Sequence, residues 1–76
     1  MPGLPRMSGK RVVTVLTRAG FVETHVRGSH HYLRRPGGSL VVVPVHGNRD
    51  LPLGTLRSIL RQAALSEDEF EELLGR

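Results

Sequence analysis

Between Phe21 and Val45 the chain is cut twice by turn-forming residues, first Gly28-Ser29 and then Pro36-Gly37-Gly38, leaving three segments of strand length. In the first segment the period is two, so Phe21, Glu23, His25 and Arg27 would line one face and Val22, Thr24 and Val26 the other. Gly28-Ser29 fits a two-residue hairpin loop with glycine at the first central position of a type II′ turn, and the strand His30 to Arg35 then returns antiparallel to the first. Its alternation sends His30, Tyr32 and Arg34 one way and His31, Leu33 and Arg35 the other. Leu40 to Val45 is almost continuously apolar and reads as the best buried strand. Pro44 fits there because a meander leaves this strand at an edge, where a missing N–H breaks no ladder.

The flanks have helical spacing. Ser8 is a plausible N-cap, Val12, Val15, Leu16 and Ala19 recur on one side, and Gly20 stands where a helix end favours a left-handed residue. The β-branched run Val12-Val13-Thr14-Val15 competes with this reading. After the loop His46 to Pro52, an apolar stripe of Leu53, Leu56, Ile59, Leu60 and Ala63 predicts a second helix. Ser66 with Glu69 has the form of a capping box, and the acidic turn Glu67, Asp68, Glu69 suits the N-terminus of a third helix carrying Phe70, Leu73 and Leu74. Residues 1–7 hold two prolines and a glycine and read as a flexible arm before one domain over 8–76. The expected fold is α+β, in the order αβββα(α), with a three-stranded antiparallel sheet and helices packed on one face.

Seventy-six residues with 38% hydrophobic content, two Phe, one Tyr and no Trp support only a small core built on Val and Leu. Cysteine is absent, which excludes disulfides and thiolate metal sites and leaves a binding partner as the natural support for so short a domain. No apolar run approaches the roughly 20 residues of a membrane helix, and the first ten residues lack the apolar centre of a signal peptide, so a cytoplasmic protein is expected. The charge is uneven. Residues 1–61 carry ten Lys or Arg against Glu23 and Asp50, net +8, while residues 62–76 carry Arg76 against five acids, net −4. Ten of the eleven basic residues are Arg, whose planar fork suits phosphate, so a polyanion is the first partner to consider. The bland alternative is a solvated surface that keeps a small protein soluble.

The four histidines are His25, His30, His31 and His46. A metal site is disfavoured, because His30 and His31 point to opposite faces and only Glu23 and Asp50 supply carboxylates outside the terminal helix. A nucleophile-elbow pattern is absent as well, which leaves acyl transfer without support. Histidine beside phosphate can instead do acid or base work on RNA, whose 2′-hydroxyl is the nucleophile once its proton is removed. His30, directly after the Gly-Ser turn, would be fixed at a strand start yet reachable by a polymer. The plain alternative for each histidine is a surface or half-buried residue without chemistry.

The stretches Gly20-Phe21, Gly28-Ser29-His30-His31, Val42-Val43-Pro44-Val45-His46, Gly54 to Ala63 and Ser66 to Phe70 together resemble HicA-type toxins, in motif order and spacing, from about Ser8 to Leu74. The resemblance implies a fold like the double-stranded RNA-binding domain and a metal-independent mRNA interferase without cofactor. It also implies one essential histidine, matched here by His30 with Gly28 and Ser29 as its supporting turn, and a cognate HicB-type antitoxin that covers this histidine. Lys10, Arg11, Arg27 and Arg34 are the candidate RNA contacts, and His46 is either an auxiliary to catalysis or a loop residue. Two features depart from the family pattern: Ala64, where many relatives have Gly, and the additional residues 1–7. A non-catalytic RNA-binding module of the same shape, and an inert domain docking an acidic protein, are the alternatives from other classes.

Overall fold

The Ser8 hydroxyl accepts a hydrogen bond from the Arg11 amide at 3.2 Å and so starts helix α1, Gly9–Arg18. Val12, Val15 and Leu16 are fully buried along it, which is why helical spacing prevails over the β-branched run: burial of three side chains outweighs a small loss of propensity. At its other end the Gly20 amide donates to the Thr17 carbonyl and the Phe21 amide to the Leu16 carbonyl, with Gly20 at φ 93°. This paired pattern is a Schellman motif. The computed structural model describes residues 4–75; residues 1–3, where the expected arm begins, and Arg76 lie outside the described residues.

Strands β1 (Val22–Arg27), β2 (His30–Arg34) and β3 (Leu40–Pro44) form an antiparallel sheet in the order β1-β2-β3. They are followed by helices α2 (Leu53–Ala63) and α3 (Glu67–Leu74). The α+β order read from the sequence is therefore the order observed. Helices α1 and α2 both pack against β3, and α3 packs on α1. Leu33, Val41 and Val43 project from the sheet into the core they share with Val12, Val15, Leu16, Leu56, Ile59 and Phe70, all fully or almost fully buried. Leu53, expected on the apolar stripe, is instead exposed on the first turn of α2, ahead of the part of the helix that reaches the core.

Two local findings differ from the alternation and arm readings, and a third is a close contact that neither reading touched. The first is a β-bulge between Glu23 and His25, which leaves Thr24 without a partner and moves the faces of β1 by one residue. Glu23 therefore shares a face with Leu33, whereas Val22, His25 and Arg27 share the opposite face with Arg34, Tyr32 and His30. The second concerns residues 4–7, since Leu4 and Met7 are buried in the core and the Leu51 amide donates to the Met7 carbonyl at 2.8 Å. From Leu4 onward the expected arm is packed, because its two large apolar side chains have a core to enter. The third is Gly9. A Cβ there would overlap the Pro44 carbonyl oxygen and lie 3.2 Å from Val45 Cα, so only glycine lets the start of α1 rest directly on the end of β3.

Helix α2 ends with the hydrogen-bond pattern of α1, Ala64 amide to Arg61 carbonyl and Leu65 amide to Leu60 carbonyl, but with Ala64 in the left-handed position at φ 56°. The capping box of α3 is formed in both directions: the Ser66 amide donates to Glu69 Oε1 at 2.9 Å and the Glu69 amide to Ser66 Oγ at 3.1 Å. The Ser66 amide first, then the Ser66 hydroxyl and the charge of Arg35, hold the Glu69 carboxyl below its ordinary pKa.

Candidate functional site

Gly28 has φ 56°, and among the described residues Ala64 is the only non-glycine with positive φ, so Ser29 has negative φ and the turn is of the expected II′ kind rather than I′. The Val45 amide donates to the Ser29 carbonyl at 2.7 Å, which ties the turn to the chain leaving β3. His30 is the first residue of β2, paired with Arg27 on one side and Pro44 on the other, and its side chain is exposed. A neighbour in sequence has the opposite environment. His31 lies opposite Val43 on the helix-covered face, is half-buried, and brings Nδ1 to 2.9 Å from Glu23 Oε2.

The open face carries three cross-strand rows: Arg27, His30 and Pro44; His25, Tyr32 and Val42; Val22, Arg34 and Leu40. In the middle row the His25 and Tyr32 rings stack, with centroids 4.3 Å apart and planes inclined by 8°. That stack follows from regular alternation out of the hairpin, Arg27 opposite His30 and His25 opposite Tyr32, and the Thr24 hydroxyl holds the bulge just beyond it by donating to the Tyr32 carbonyl at 3.2 Å. No described residue makes a hydrogen bond or ion pair with the His30 ring, so it is free to meet a ligand.

Seven of the eleven basic residues fall into two groups. Arg18 donates to the Leu73 carbonyl at 3.0 Å, Arg35 donates to the Ala63 carbonyl at 3.2 Å and covers the Phe21 ring at 4.8 Å, and Arg57 pairs with Glu67 at 3.5 Å. Those three guanidiniums staple helices. Lys10, Arg11, Arg27 and Arg34 are exposed and have no side-chain partner among the described residues. Arg27 is beside His30, and the Gly9 contact with Pro44 brings the first turn of α1, with Lys10 and Arg11, to the same end of the sheet. Arg34 is separate: four residues along β2 amount to about 13 Å, so it could meet only a different part of a bound polymer.

A cleft of about 320 Å³ adjoins this end, lined by Pro44, His46, Arg49, Asp50, Leu51, Pro52 and Thr55. The loop that forms it is held by the Arg49 amide on the His46 carbonyl at 3.0 Å and by a backbone bridge between Ser8 and Asp50. His46 is thus on the lip of a cavity one residue beyond the Val45–Ser29 tie. Sequence reasoning did not single out Arg49, Asp50 or Thr55. The available signal was Asp50, one of only two acids in the first 61 residues. Among the described residues no group of three or more His, Asp or Glu side chains is assembled in metal-binding fashion, and no helix is long and apolar enough to cross a membrane.

In this arrangement, an exposed turn histidine on the uncovered face of an αβββαα domain with free cations around it, the turn Gly28-Ser29-His30 is among the stretches that carried the sequence resemblance. The family model described as HicA toxin of bacterial toxin-antitoxin systems matches residues 9–65, from the first residue of α1 to the residue after the left-handed end of α2. The chain belongs to the HicA toxin family. Membership implies a cognate HicB antitoxin as partner. A comparison with curated proteins found no match.

Proposed function

We propose that the protein is a metal-independent endoribonuclease that cleaves mRNA with His30 as its acid–base group, and that a HicB-type antitoxin neutralises it by covering this histidine. The observation that carries the reading is the position of His30, exposed on the open face, fixed directly after a tied turn, between Arg27 and Pro44. Neutral His30 takes the proton of an RNA 2′-hydroxyl, the oxygen attacks the adjacent phosphorus, and the P–O5′ bond breaks to leave a 2′,3′-cyclic phosphate and a 5′-hydroxyl. The departing oxygen needs a proton, for which His46 is the candidate donor. Arg27, Lys10 and Arg11 neutralise the phosphate, and Arg34 holds the strand farther along. The basic surface of residues 1–61 suits an acidic antitoxin by the same charge, so the complex should weaken with rising salt.

One observation favours a non-catalytic RNA-binding module instead: a catalytic imidazole is usually oriented by a third group, and the ring of His30 has none among the described residues. Incubation of the protein with RNA in EDTA separates the two. Cleavage leaving 2′,3′-cyclic phosphate ends, or their opened monophosphates, supports the nuclease; RNA bound but intact supports the module, and activity that returns only on adding a divalent metal contradicts the metal-free mechanism.

A further inference from the structure

The cleft beside His30 has properties that phosphate binding alone does not explain. It shares Pro44 with the His30 row of the open face, so whatever occupies it touches the same residue that pairs with His30. Its volume of about 320 Å³ is near the lower limit of small-molecule pockets, which suits one nucleotide. Pro44, Leu51 and Pro52 supply apolar lining, and Arg49 and Asp50 bring polar groups to it. The carboxylate is the informative part.

Residues 1–61 hold only two acids, and one of them, Glu23, is engaged by His31 on the covered face. The other, Asp50, lies at the cleft with no side-chain partner among the described residues. On a surface meant for a polyanion this exposed free carboxylate repels phosphate, so the ligand group it suits is one that donates hydrogen bonds. Nucleobases provide such groups, and guanine alone offers two adjacent donors, N1–H and the N2 amino group, that a carboxylate accepts as a pair. Arg49 is at hand for the phosphate of the same nucleotide.

Resting on the nuclease reading above, we infer that this cleft is a nucleobase subsite selecting guanosine next to the cleaved bond, with Asp50 as its specificity-determining residue. Backbone amide NMR of the full chain tests it with the four nucleoside 3′-monophosphates and with inorganic phosphate as control. Guanosine 3′-monophosphate is expected to shift the amides of His46, Arg49, Leu51 and Thr55 and to bind at least about five-fold tighter than the other three, the lower end for a bidentate contact. Asp50→Asn, which keeps the side-chain shape, should bring the four nucleotides together, as should Asp50→Ala. Equal binding of all four, shifts reproduced by phosphate alone, or a guanosine preference that survives Asp50→Asn would overturn the assignment. RNA cleavage is scored separately: cleavage without nucleotide binding in the cleft removes the subsite and leaves the nuclease, whereas selective binding without cleavage leaves a nucleotide site and removes the nuclease.

Discussion

The two faces of the sheet carry adjacent histidines with opposite surroundings. On the covered face His31 is half-buried between Val26 and Val43 and held by Glu23, in line with Leu33, Val41 and Val43, which have no exposed surface. On the open face His30 lies between Arg27 and Pro44 with its ring free. One backbone step separates a side chain that holds the fold from one available for chemistry. The lesson is that residue type did not distinguish them; strand alternation did, together with which face the helices cover.

The largest effect on stability is expected from Leu33 on the covered face. Leu33→Ala should cost about 2–5 kcal/mol in urea unfolding, enough to unfold much of so small a domain, whereas the half-buried Tyr32 on the open face should cost less when replaced by Ala, about 0.5–1.5 kcal/mol for its stack together with the part of its ring area that is covered. Equal losses would mean that the open face is not open. Next comes Gly9, whose replacement by Ala drives a methyl group into the Pro44 carbonyl and should cost about 1–3 kcal/mol while also displacing the end of β3 beside His30. An unchanged melting temperature in Gly9→Ala would show that α1 does not rest on β3 as described.

Ala64→Gly should act in the other direction. A left-handed alanine is strained by roughly 1 kcal/mol relative to glycine, so the variant should be more stable by up to that amount, and cleavage should be unaffected because the turn is remote from His30. A destabilised Ala64→Gly would contradict the observed φ. The smallest effect belongs to Glu69. Its folded pKa is depressed, so its contribution is complete above the unfolded carboxyl's ordinary 4.5 and is lost as pH falls below that value through the folded pKa. Comparing wild type with Glu69→Ala by melting at pH 7 and in acid should show the difference between them shrinking in acid; a difference that grows there would reverse the sign of the account.

Much of this architecture was legible because local signals agreed with one another. Gly28-Ser29, the alternation of β2 and the Ser66–Glu69 box each specify their own geometry within a few residues, and each is observed. What escaped depended on contacts between distant segments. The bulge at Thr24 has no glycine or proline to mark it, and its support is the Tyr32 carbonyl across the sheet. Leu4 and Met7 look like an arm because their burial depends on Leu51 and the core, not on periodicity. Nothing in the sequence marks Arg18 and Arg35 as ties, yet both donate to helix carbonyls. The cleft was hidden for the same reason, since its walls come from the end of β3, the loop after it and the start of α2.

The central claim is that His30 does the chemistry and His31 holds the fold. His30→Ala and His31→Ala, assayed side by side for RNA cleavage in EDTA and for urea unfolding, test it most directly. The account expects a crossed result: His30→Ala loses cleavage by about 10²–10⁴-fold with an unchanged unfolding midpoint, and His31→Ala keeps most cleavage but unfolds earlier by up to about 1 kcal/mol through loss of the Glu23 pair. Full activity in His30→Ala, or a loss of cleavage in His31→Ala as large as in His30→Ala, would contradict it.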